Sequence, residues 1–323
     1  MSISLNVFQE QHDLKEKKRY NEGYRLVGNH SAVKICAYCK KAIKGEDVCY
    51  KNTFYGIESW RCVQMSPTFF CDHRCVFCWR DIDYVWPKWQ GPVDEPKDIV
   101  EGCIKAHVEL LQGFKGNSKA IAEKLREMGK PLHFAISLTG EPTMYPKLPE
   151  MIDYIKEKGM TAFLVTNGTI PEMVEKLIEH QPTQLYISTY GCNKEMHQRT
   201  ANPITKDAWE RLQKSLSMMH KFKRNVMRLT LVKDFNFMNP EGYAALIEKY
   251  KPMFVEAKGY SFVGHSQERL EVSNMPYHNE ILDFAKKIEE NSSYKVIDSK
   301  EESRVALLVK EDFEGRKMEF EGL

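Results

Sequence analysis

From residue 61 onward, short apolar runs alternate with longer segments that have the apolar period of a helix. The runs predict strands at residues 61–70, 131–138, 161–166, 184–189, 225–232 and 254–263. The longer segments predict helices at residues 97–111, 147–158, 171–179, 206–221, 239–250 and 278–289. Strands that alternate with helices are typical of βα units around a parallel sheet. The sequence therefore predicts an α/β fold with six βα repeats.

The size and polarity of the chain narrow the class of protein. Its 323 residues are 42% hydrophobic and 28% charged, which is enough apolar surface for a core of ordinary globular size. We find neither an apolar run of the ~18 residues that a transmembrane helix needs nor the apolar segment of a signal peptide. We therefore expect a cytoplasmic protein without a membrane partner. In that compartment, nine cysteines favour metal binding or catalysis over disulfides.

Seven of the nine cysteines lie between residues 36 and 78, and the last three of these form a close triplet. Cys71, Cys75 and Cys78 have C-x₃-C-x₂-C spacing and follow the first predicted strand. Three thiolates can bind three irons of a [4Fe–4S] cluster and leave the fourth iron open to another ligand. A zinc ion bound by the three cysteines and His73 is the alternative.

A second group of cysteines precedes the triplet. Cys36, Cys49 and Cys62 follow one another at intervals of 13 residues, and Cys39 forms a C-x₂-C pair with Cys36. Four thiolates can close a tetrahedron around zinc. On spacing alone, a zinc site and a second iron–sulfur cluster are equally reasonable.

Polar residues lie at the ends of the next three predicted strands. Gly140 and Glu141 follow the second strand, Asn167 follows the third, and Ser188 is near the end of the fourth. The carboxyl ends of barrel strands meet at one rim, where active sites form. Glycine permits close backbone approach there, and a carboxylate can pair with an ammonium group. The sequence thus predicts a binding site at the rim beside the triplet.

The triplet and these rim residues resemble the radical S-adenosylmethionine (SAM) superfamily. In its signature an aromatic residue precedes the last cysteine, as Phe77 does here, and Gly140-Glu141 is similar to the end of its Gly-Gly-Glu element. The resemblance implies a partial (βα)₆ TIM-like barrel in which SAM binds the open iron of the triplet's cluster. It also implies that the cofactor contacts Phe77, Gly140, Glu141, Asn167 and Ser188.

Within that superfamily, the chain resembles the 4-demethylwyosine synthases, which modify transfer RNA. The likeness extends from about Tyr24 to Val309 and includes the equal cysteine spacing, Cys78-Trp79-Arg80-Asp81, and the stretch from Lys258 to Leu270. Two departures from the family pattern are the additional thiol of Cys39 and the sequence Thr189-Tyr190-Gly191 where Leu-Asp-Ala is expected.

The family resemblance implies a second site as well. Cys36, Cys49 and Cys62 would bind a second [4Fe–4S] cluster with an open iron, and Cys39 would be dispensable. Lys51 would be the catalytic lysine, placed near pyruvate and able to form a Schiff base. Because a Schiff base forms from a neutral amine, Lys51 should be partly desolvated or close to other positive charge.

The implied reaction takes N1-methylguanosine at position 37 of phenylalanine tRNA to 4-demethylwyosine. A 5′-deoxyadenosyl radical removes hydrogen from the N1-methyl group, and pyruvate supplies two carbons of the third ring. The cofactors would be two [4Fe–4S] clusters and SAM. Since the chain resembles the short archaeal members, which lack a flavodoxin domain, we expect a monomer that takes electrons from a separate flavodoxin or ferredoxin.

Three regions are expected along the chain. Residues 1–60 would form an N-terminal extension that carries the auxiliary cysteines. The barrel would span residues 61–270, and residues 271–323 would form a C-terminal helix and tail that complete the core.

Charge is distributed unevenly, although the formal net charge is only +2. Residues 194–233 contain ten basic and three acidic side chains, so this segment carries +7 and the rest of the chain −5. A solvated helix face is the ordinary explanation, and a phosphate-binding surface is the functional one. The functional interpretation predicts tRNA contacts at Arg199, Lys206, Lys214 and Lys221.

Two other functions compete with this prediction. One is a different radical SAM enzyme, either an activase or a peptide- or RNA-modifying enzyme, in which auxiliary cysteines usually follow the barrel. The other is a non-enzymatic RNA-binding barrel stabilised by zinc. Iron content after anaerobic purification distinguishes zinc sites from clusters.

Overall fold

The computed structural model describes residues 22–82 and 85–320, and a ten-stranded sheet runs through them. In chain order the strands are β1 (Arg25–Val27), β2 (Ser31–Val33), β3 (Cys62–Ser66), β4 (His133–Ile136), β5 (Thr161–Thr166), β6 (Gln184–Thr189), β7 (Asn225–Leu231), β8 (Phe254–Gly259), β9 (Lys295–Lys300) and β10 (Val305–Val309). Their order across the sheet is β1-β2-β3-β4-β5-β6-β7-β8-β10-β9.

Strands β3 to β8 are the six predicted strands, and each pairs in parallel with the next one along the chain. The partial (βα)₆ barrel is thereby confirmed. The first and last of these strands are shorter than predicted. Strand β3 ends at Ser66 because Pro67 has no N–H to donate to the ladder. Strand β8 ends at Gly259.

Helices connect the consecutive parallel strands, as parallel pairing requires, and further helices precede β3 and follow β8. The helices are α1 (Ala37–Ile43), α2 (Tyr50–Tyr55), α3 (Pro96–Leu111), α4 (Ala122–Glu127), α5 (Leu148–Glu157), α6 (Pro171–Lys176), α7 (Lys194–Ala201), α8 (Ala208–Ser217), α9 (Pro240–Tyr250) and α10 (His278–Glu290). The predicted helix at 206–221 is α8 followed by a separate 3₁₀ turn, Met219–Lys221. Between residues 22 and 320, leaving out 83–84, no helix is long and apolar enough to cross a bilayer.

Side chains alternate between the two faces of each strand, which separates two cores. On β6, Leu185 and Ile187 pack toward the outer helices, while Tyr186 lies in the barrel interior. The interior core draws on strands across the sheet and includes Phe163, Tyr186, Val226, Phe254 and Leu307. Because the period is two, every second residue of a strand is available to the interior site.

Antiparallel strands extend the parallel sheet at both ends. The β1–β2 hairpin pairs with β3, and the β9–β10 hairpin pairs with β8. The tail after β10 then covers the amino ends of two strands: Phe313 packs on Phe254, and Phe320 packs on His133 with 4.6 Å between ring centroids. The backbone N–H of Met318 donates to the Tyr55 carbonyl at 2.9 Å. The tail therefore closes the barrel at the end opposite the rim.

The barrel interior contains a buried ion pair. Glu256 on β8 is fully buried, and its carboxylate accepts a hydrogen bond from Nε of Arg228 on β7 at 2.9 Å. The hydroxyls of Tyr50 and Tyr55 donate to the same carboxylate at 3.2 and 2.8 Å. A buried charge is tolerated when it is paired and hydrogen-bonded. These contacts tie α2 to the middle of the sheet.

We predict that Glu256→Ala lowers the free energy of unfolding by about 3–5 kcal/mol, because it leaves Arg228 buried without a counter-charge. Thermal denaturation of the cluster-loaded protein measures the loss. Glu290→Ala, at an exposed position at the end of α10, is the control and should change little. The double variant Glu256→Leu/Arg228→Met should regain most of the stability. A wild-type melting curve for Glu256→Ala would contradict the prediction.

Candidate active site

The cysteine triplet forms a loop at the carboxyl end of β3. Backbone hydrogen bonds hold this loop against the end of α7, from Arg74 N–H to the Asn202 carbonyl and from Val76 N–H to the Thr200 carbonyl. Cys71 and Cys75 are buried, and Cys78 is partly exposed. The structure thus places the three thiols together at the rim, with the edge of one of them accessible from outside.

The environment of the triplet suits thiolates only when positive charge is present. Burial raises the pKa of the Cys71 thiol to about 12, and the Arg80 guanidinium opposes that rise. Burial, and then the thiols of Cys78 and Cys71, raise the pKa of Cys75 well above its ordinary value. A bound metal deprotonates its thiol ligands and supplies the missing positive charge. The donor set therefore fits an iron–sulfur cluster.

Arg80 is a site residue that the sequence analysis did not single out. Its side chain is buried, hydrogen-bonds the Cys71 side chain, and lies close to Cys75 and Cys78. A buried guanidinium beside three sulfurs offsets the negative charge that thiolates bring. The signal in the sequence was an arginine two residues after the last cysteine of the triplet.

Glu141 lies in a buried network at the ends of β4 and β5. Its Oε1 accepts hydrogen bonds from the Thr143 and Thr166 hydroxyls, both at 2.6 Å, and its Oε2 accepts from the backbone N–H of Asn167 at 2.8 Å. Burial raises the pKa of Glu141 to about 7 even so. An ammonium group placed here would favour the ionised carboxylate.

Gly140 brings the backbone close to the loop before the triplet. Its φ is +65°, in the left-handed region, and a Cβ added there would lie 2.8 Å from the Phe70 carbonyl oxygen. A side chain would clash with the backbone, so the conformation and the space both require glycine. The close approach allows Glu141 N–H to donate to that same carbonyl at 2.6 Å.

Asn167 connects the rim to the triplet. Its Nδ2 donates to one oxygen of Asp72 at 2.7 Å, and its Oδ1 accepts from the backbone N–H of Thr169 at 3.0 Å. The Thr169 hydroxyl donates to the second oxygen of Asp72 at 2.5 Å. Asp72, which follows Cys71, was not recognised from the sequence. The hydrogen bonds of its carboxylate hold the loop of the cysteine triplet to the end of β5.

Phe77 and Ser188 meet at Tyr190, one of the residues where the chain departs from the family pattern. The Phe77 and Tyr190 rings pack with their centroids 5.1 Å apart, and the Ser188 side chain hydrogen-bonds the Tyr190 hydroxyl. His73, the fourth ligand in the zinc alternative, packs against Tyr190 and against His197, whose ring centroid is 5.5 Å away. Tyr190 therefore fills the wall beside the triplet.

The second cysteine group lies at the amino end of the barrel wall formed by α1, α2 and β3. Cys36 and Cys49 are the residues that precede α1 and α2, and Cys62 is the first residue of β3. The three sulfurs are close enough to affect one another's charge. Burial raises the pKa of Cys49 to about 11 and that of Cys62 to about 12. The structure thus brings the three cysteines of equal spacing together.

Cys39 lies one turn into α1 and is buried among apolar side chains. Its sulfur is 3.9 Å from the Trp60 carbonyl oxygen and also within electrostatic range of Cys36 and Cys62.

Within residues 22–82 and 85–320, no three His, Cys, Asp or Glu side chains converge as the ligands of a single metal ion do. The thiolates of an iron–sulfur cubane bind separate irons.

Lys51 follows Cys49 by two residues and points into the barrel. Its ammonium nitrogen lies 4.6 Å from the centre of the Tyr186 ring and 5.6 Å from that of Phe163. Burial, and then the positive charge of Arg228, lower the pKa of Lys51. Both conditions that the sequence analysis set for a Schiff-base lysine are therefore present.

The four predicted RNA-binding side chains are exposed along one outer side of the barrel. Arg199 precedes the segment that pairs with the cluster loop, and Lys206 precedes α8 at the rim. Lys214 is two turns down α8. Lys221 lies at the opposite end, where its carbonyl accepts from Gln181 before β6 at 2.9 Å. They form a stripe that leads away from the rim rather than a ring around it.

Known proteins resemble this chain over nearly its whole length. The sequence matches the Radical SAM superfamily over residues 65–247 and the family of wyosine base formation over residues 249–310. A tRNA 4-demethylwyosine synthase of Pyrococcus abyssi is 43% identical, with 95% of this chain and 88% of the relative aligned. The corresponding protein of Pyrococcus horikoshii is 44% identical, with 93% and 89% aligned.

A solved structure of TYW1 with a bound lysine-pyruvate adduct has a TM-score of 0.83 to this chain. It is 35% identical, and the superposition covers 98% of this chain and 100% of the other. Sequence identity and fold agree over nearly the full length of both proteins. This chain belongs to the radical SAM superfamily and, within it, to the family of S-adenosyl-L-methionine-dependent tRNA 4-demethylwyosine synthases.

Proposed function

We propose that the protein forms 4-demethylwyosine from pyruvate and N1-methylguanosine at position 37 of phenylalanine tRNA. As a member of its family it is a tRNA-modifying enzyme that uses SAM and an iron–sulfur cluster. The observation that carries the proposal is a buried lysine, Lys51, between a second thiol group and the barrel interior, in a fold that matches a TYW1 structure with a lysine-pyruvate adduct.

At the rim, Cys71, Cys75 and Cys78 would hold the cluster whose open iron binds SAM. When bound, cluster and SAM together supply a 5′-deoxyadenosyl radical, which takes hydrogen from the N1-methyl group. Burial raises the pKa of Glu141, and a positive charge beside it would favour the ionised carboxylate, so Glu141 would hold the methionyl ammonium group. Gly140, Phe77 and Ser188 would shape the wall around the cofactor.

Asn167 would act at this site in two ways. One N–H of its side-chain amide donates a hydrogen bond to Asp72, and this bond fixes the loop between Cys71 and Cys75. The other proton is the contact that its side chain can offer SAM. The network around it is buried, so it excludes water from the position where a radical would form.

In the interior, Cys36, Cys49 and Cys62 would hold a second [4Fe–4S] cluster. The Lys51 amine would attack the carbonyl carbon of pyruvate, and the carbinolamine would then lose water to give a Schiff base. The pyruvate carbonyl oxygen leaves in that water molecule. Burial beside Arg228 favours the neutral amine that this attack needs.

The setting of the enzyme is also a proposal. A separate flavodoxin or ferredoxin would donate electrons, and the protein would act as a monomer in the cytoplasm. The division into residues 1–60, 61–270 and 271–323 stays a prediction. Strands from before residue 60 and after residue 271 join the same sheet as the barrel strands.

We expect anaerobic turnover of the wild type with SAM, pyruvate and methylated tRNA to yield 4-demethylwyosine, read by nucleoside mass spectrometry. Borohydride should trap one pyruvate on Lys51, because hydride reduces the Schiff base to a stable amine. Lys51→Arg keeps the charge but should abolish both product and adduct. SAM cleavage without tRNA should continue in this variant. Product formation by Lys51→Arg would refute the assigned role.

We predict that Cys36→Ala loses about half of the iron of the anaerobically loaded protein, whereas Cys39→Ala keeps it. The reason is that only Cys36 belongs to the equally spaced set, while Cys39 packs in an apolar cluster. Cys103→Ala, which removes a buried thiol from the outer core, is the matched control. Cys75→Ala should lose the other half of the iron and all SAM cleavage. Loss of iron in Cys39→Ala with retention in Cys36→Ala would reverse the assignment.

We predict that tRNA binding depends on the outer stripe. Replacing Arg199, Lys206, Lys214 and Lys221 with Gln should reduce the slope of log affinity against log salt by about 3, at ~0.7–0.9 per phosphate contact. SAM cleavage without tRNA should be unchanged. Equal replacement of four exposed lysines near β3 and β4 serves as the control: Lys105, Lys115, Lys119 and Lys130.

An unchanged slope in the stripe variant would place the tRNA elsewhere on the protein. The next candidate is a rim groove of about 380 Å³ that includes Lys88, Trp89 and Lys176. Separate double variants at the rim end (Arg199 and Lys206) and the far end (Lys214 and Lys221) would show how far the RNA extends down the barrel.

A further inference from the structure

The interior wall beside Cys49 holds more positive than negative charge. Lys51, Arg228 and Lys258 are the basic side chains, and Glu256 is the carboxylate among them. Two aromatic rings hold these groups together: Arg228 and Lys258 lie 5.9 and 5.4 Å from the centre of the Tyr50 ring. Arg228 and Lys51 lie 4.5 and 4.6 Å from the centre of Tyr186.

The three basic side chains differ in the hydrogen bonds and ion pairs that they already make. Arg228 is bound on both sides, by the Glu256 carboxylate at 2.9 Å and by the Tyr50 hydroxyl at 2.6 Å. The Glu256 carboxylate is therefore already engaged with a guanidinium and two tyrosines. Neither lysine can replace Arg228 there without breaking that network.

The ammonium group of Lys258 has N–H donors left for further hydrogen bonds. Its ammonium group donates to the Ser303 carbonyl at 2.6 Å, and an ammonium has three protons. Whereas Glu256, two residues earlier on β8, is fully buried, Lys258 is partly exposed near the carboxyl end of the strand. Burial and Arg228 lower the pKa of Lys258 to about 8. An anion that reached this ammonium group would restore the balance of charge.

Lys258 on β8 and Lys51 on α2 approach the same region of the barrel interior. Lys258 lies over the Tyr50 ring, Lys51 over the Tyr186 ring, and Arg228 over both, so the two ammonium groups border one region of the interior. A small molecule at the second cluster would have a lysine on β8 at one side and a lysine on α2 at the other. A 2-oxo acid has a carboxylate and an electrophilic carbonyl on adjacent carbons.

We propose that Lys258 binds the carboxylate of pyruvate and so presents the neighbouring carbonyl to Lys51. Lys258 is then a substrate-binding residue that selects 2-oxo acids over uncharged carbonyl compounds. The inference rests on the proposed function, because it takes pyruvate as the substrate and Lys51 as the amine that attacks it.

The experiment uses cluster-loaded protein and measures borohydride trapping on Lys51 against pyruvate concentration, with peptide mass spectrometry to locate the adduct. Lys258→Met should need about 30-fold more pyruvate for half-maximal trapping, as expected for loss of one partner of a desolvated charge pair. Lys258→Arg should recover most of the affinity. Lys249→Met, at an exposed position on α9, should match the wild type.

Methyl pyruvate, which has the carbonyl but no carboxylate charge, separates binding from folding. Its trapping should have the same concentration dependence in the wild type and in Lys258→Met. Iron content and SAM cleavage without tRNA should be equal in all variants. If Lys258→Met loses iron, Lys258→Gln, which keeps a donor for the Ser303 carbonyl, provides the same comparison.

Three results would overturn the inference. One is equal pyruvate dependence in the wild type and the neutral variants, with the adduct still on Lys51, which would refute the role of Lys258 alone. The second is an adduct on Lys258 itself. The third is wild-type protein that traps no pyruvate at any concentration, which would refute the proposed function and this inference together.

Discussion

In each of six parallel β-strands, side chains alternate between the two faces of the sheet, and this alternation decides which residues of the chain can meet. Strands β3 to β8 run in the same direction, so their carboxyl ends share one rim and their inward-facing positions share one interior. The rim receives the loops that carry Cys71, Glu141 and Asn167. The interior receives Cys62 from β3, Arg228 from β7 and Glu256 from β8. One sheet therefore positions two separate groups of polar residues, one at the rim and one in the interior.

Charge inside the barrel follows from the same geometry. A strand position that faces inward is desolvated whatever its side chain, and an ionised group there needs a partner. Glu256 and Arg228 satisfy each other across neighbouring strands, and two tyrosines complete their hydrogen bonds. The lysines are less completely matched. The excess of basic side chains lets the interior bind anions. A cluster ligated by thiolates is an anion, and so is a small carboxylate.

Much of this architecture could be predicted from the sequence, because long alternating runs and close cysteine spacing are local signals. The parallel strands and the triplet loop belong to this class. Helices α1, α2, α4 and α7 were not predicted, because each has only six to eight residues and no proline at its start. The equally short α6 was found because Pro171 marks where it begins. Arg80 and Asp72 were missed for another reason. A charged residue in a polar stretch reads as solvated, and its burial is decided by segments distant in sequence.

The link between Asp72 and the end of β5 has a thermodynamic consequence. The carboxylate of Asp72 belongs to the loop of the triplet, while its two hydrogen-bond donors, Asn167 and Thr169, belong to the wall that faces the cofactor. Because the two arrangements share these bonds, whatever orders one also orders the other, and such coupling is reciprocal. A protein with its cofactor in place should thus hold its iron longer against chelators and oxygen than one without it.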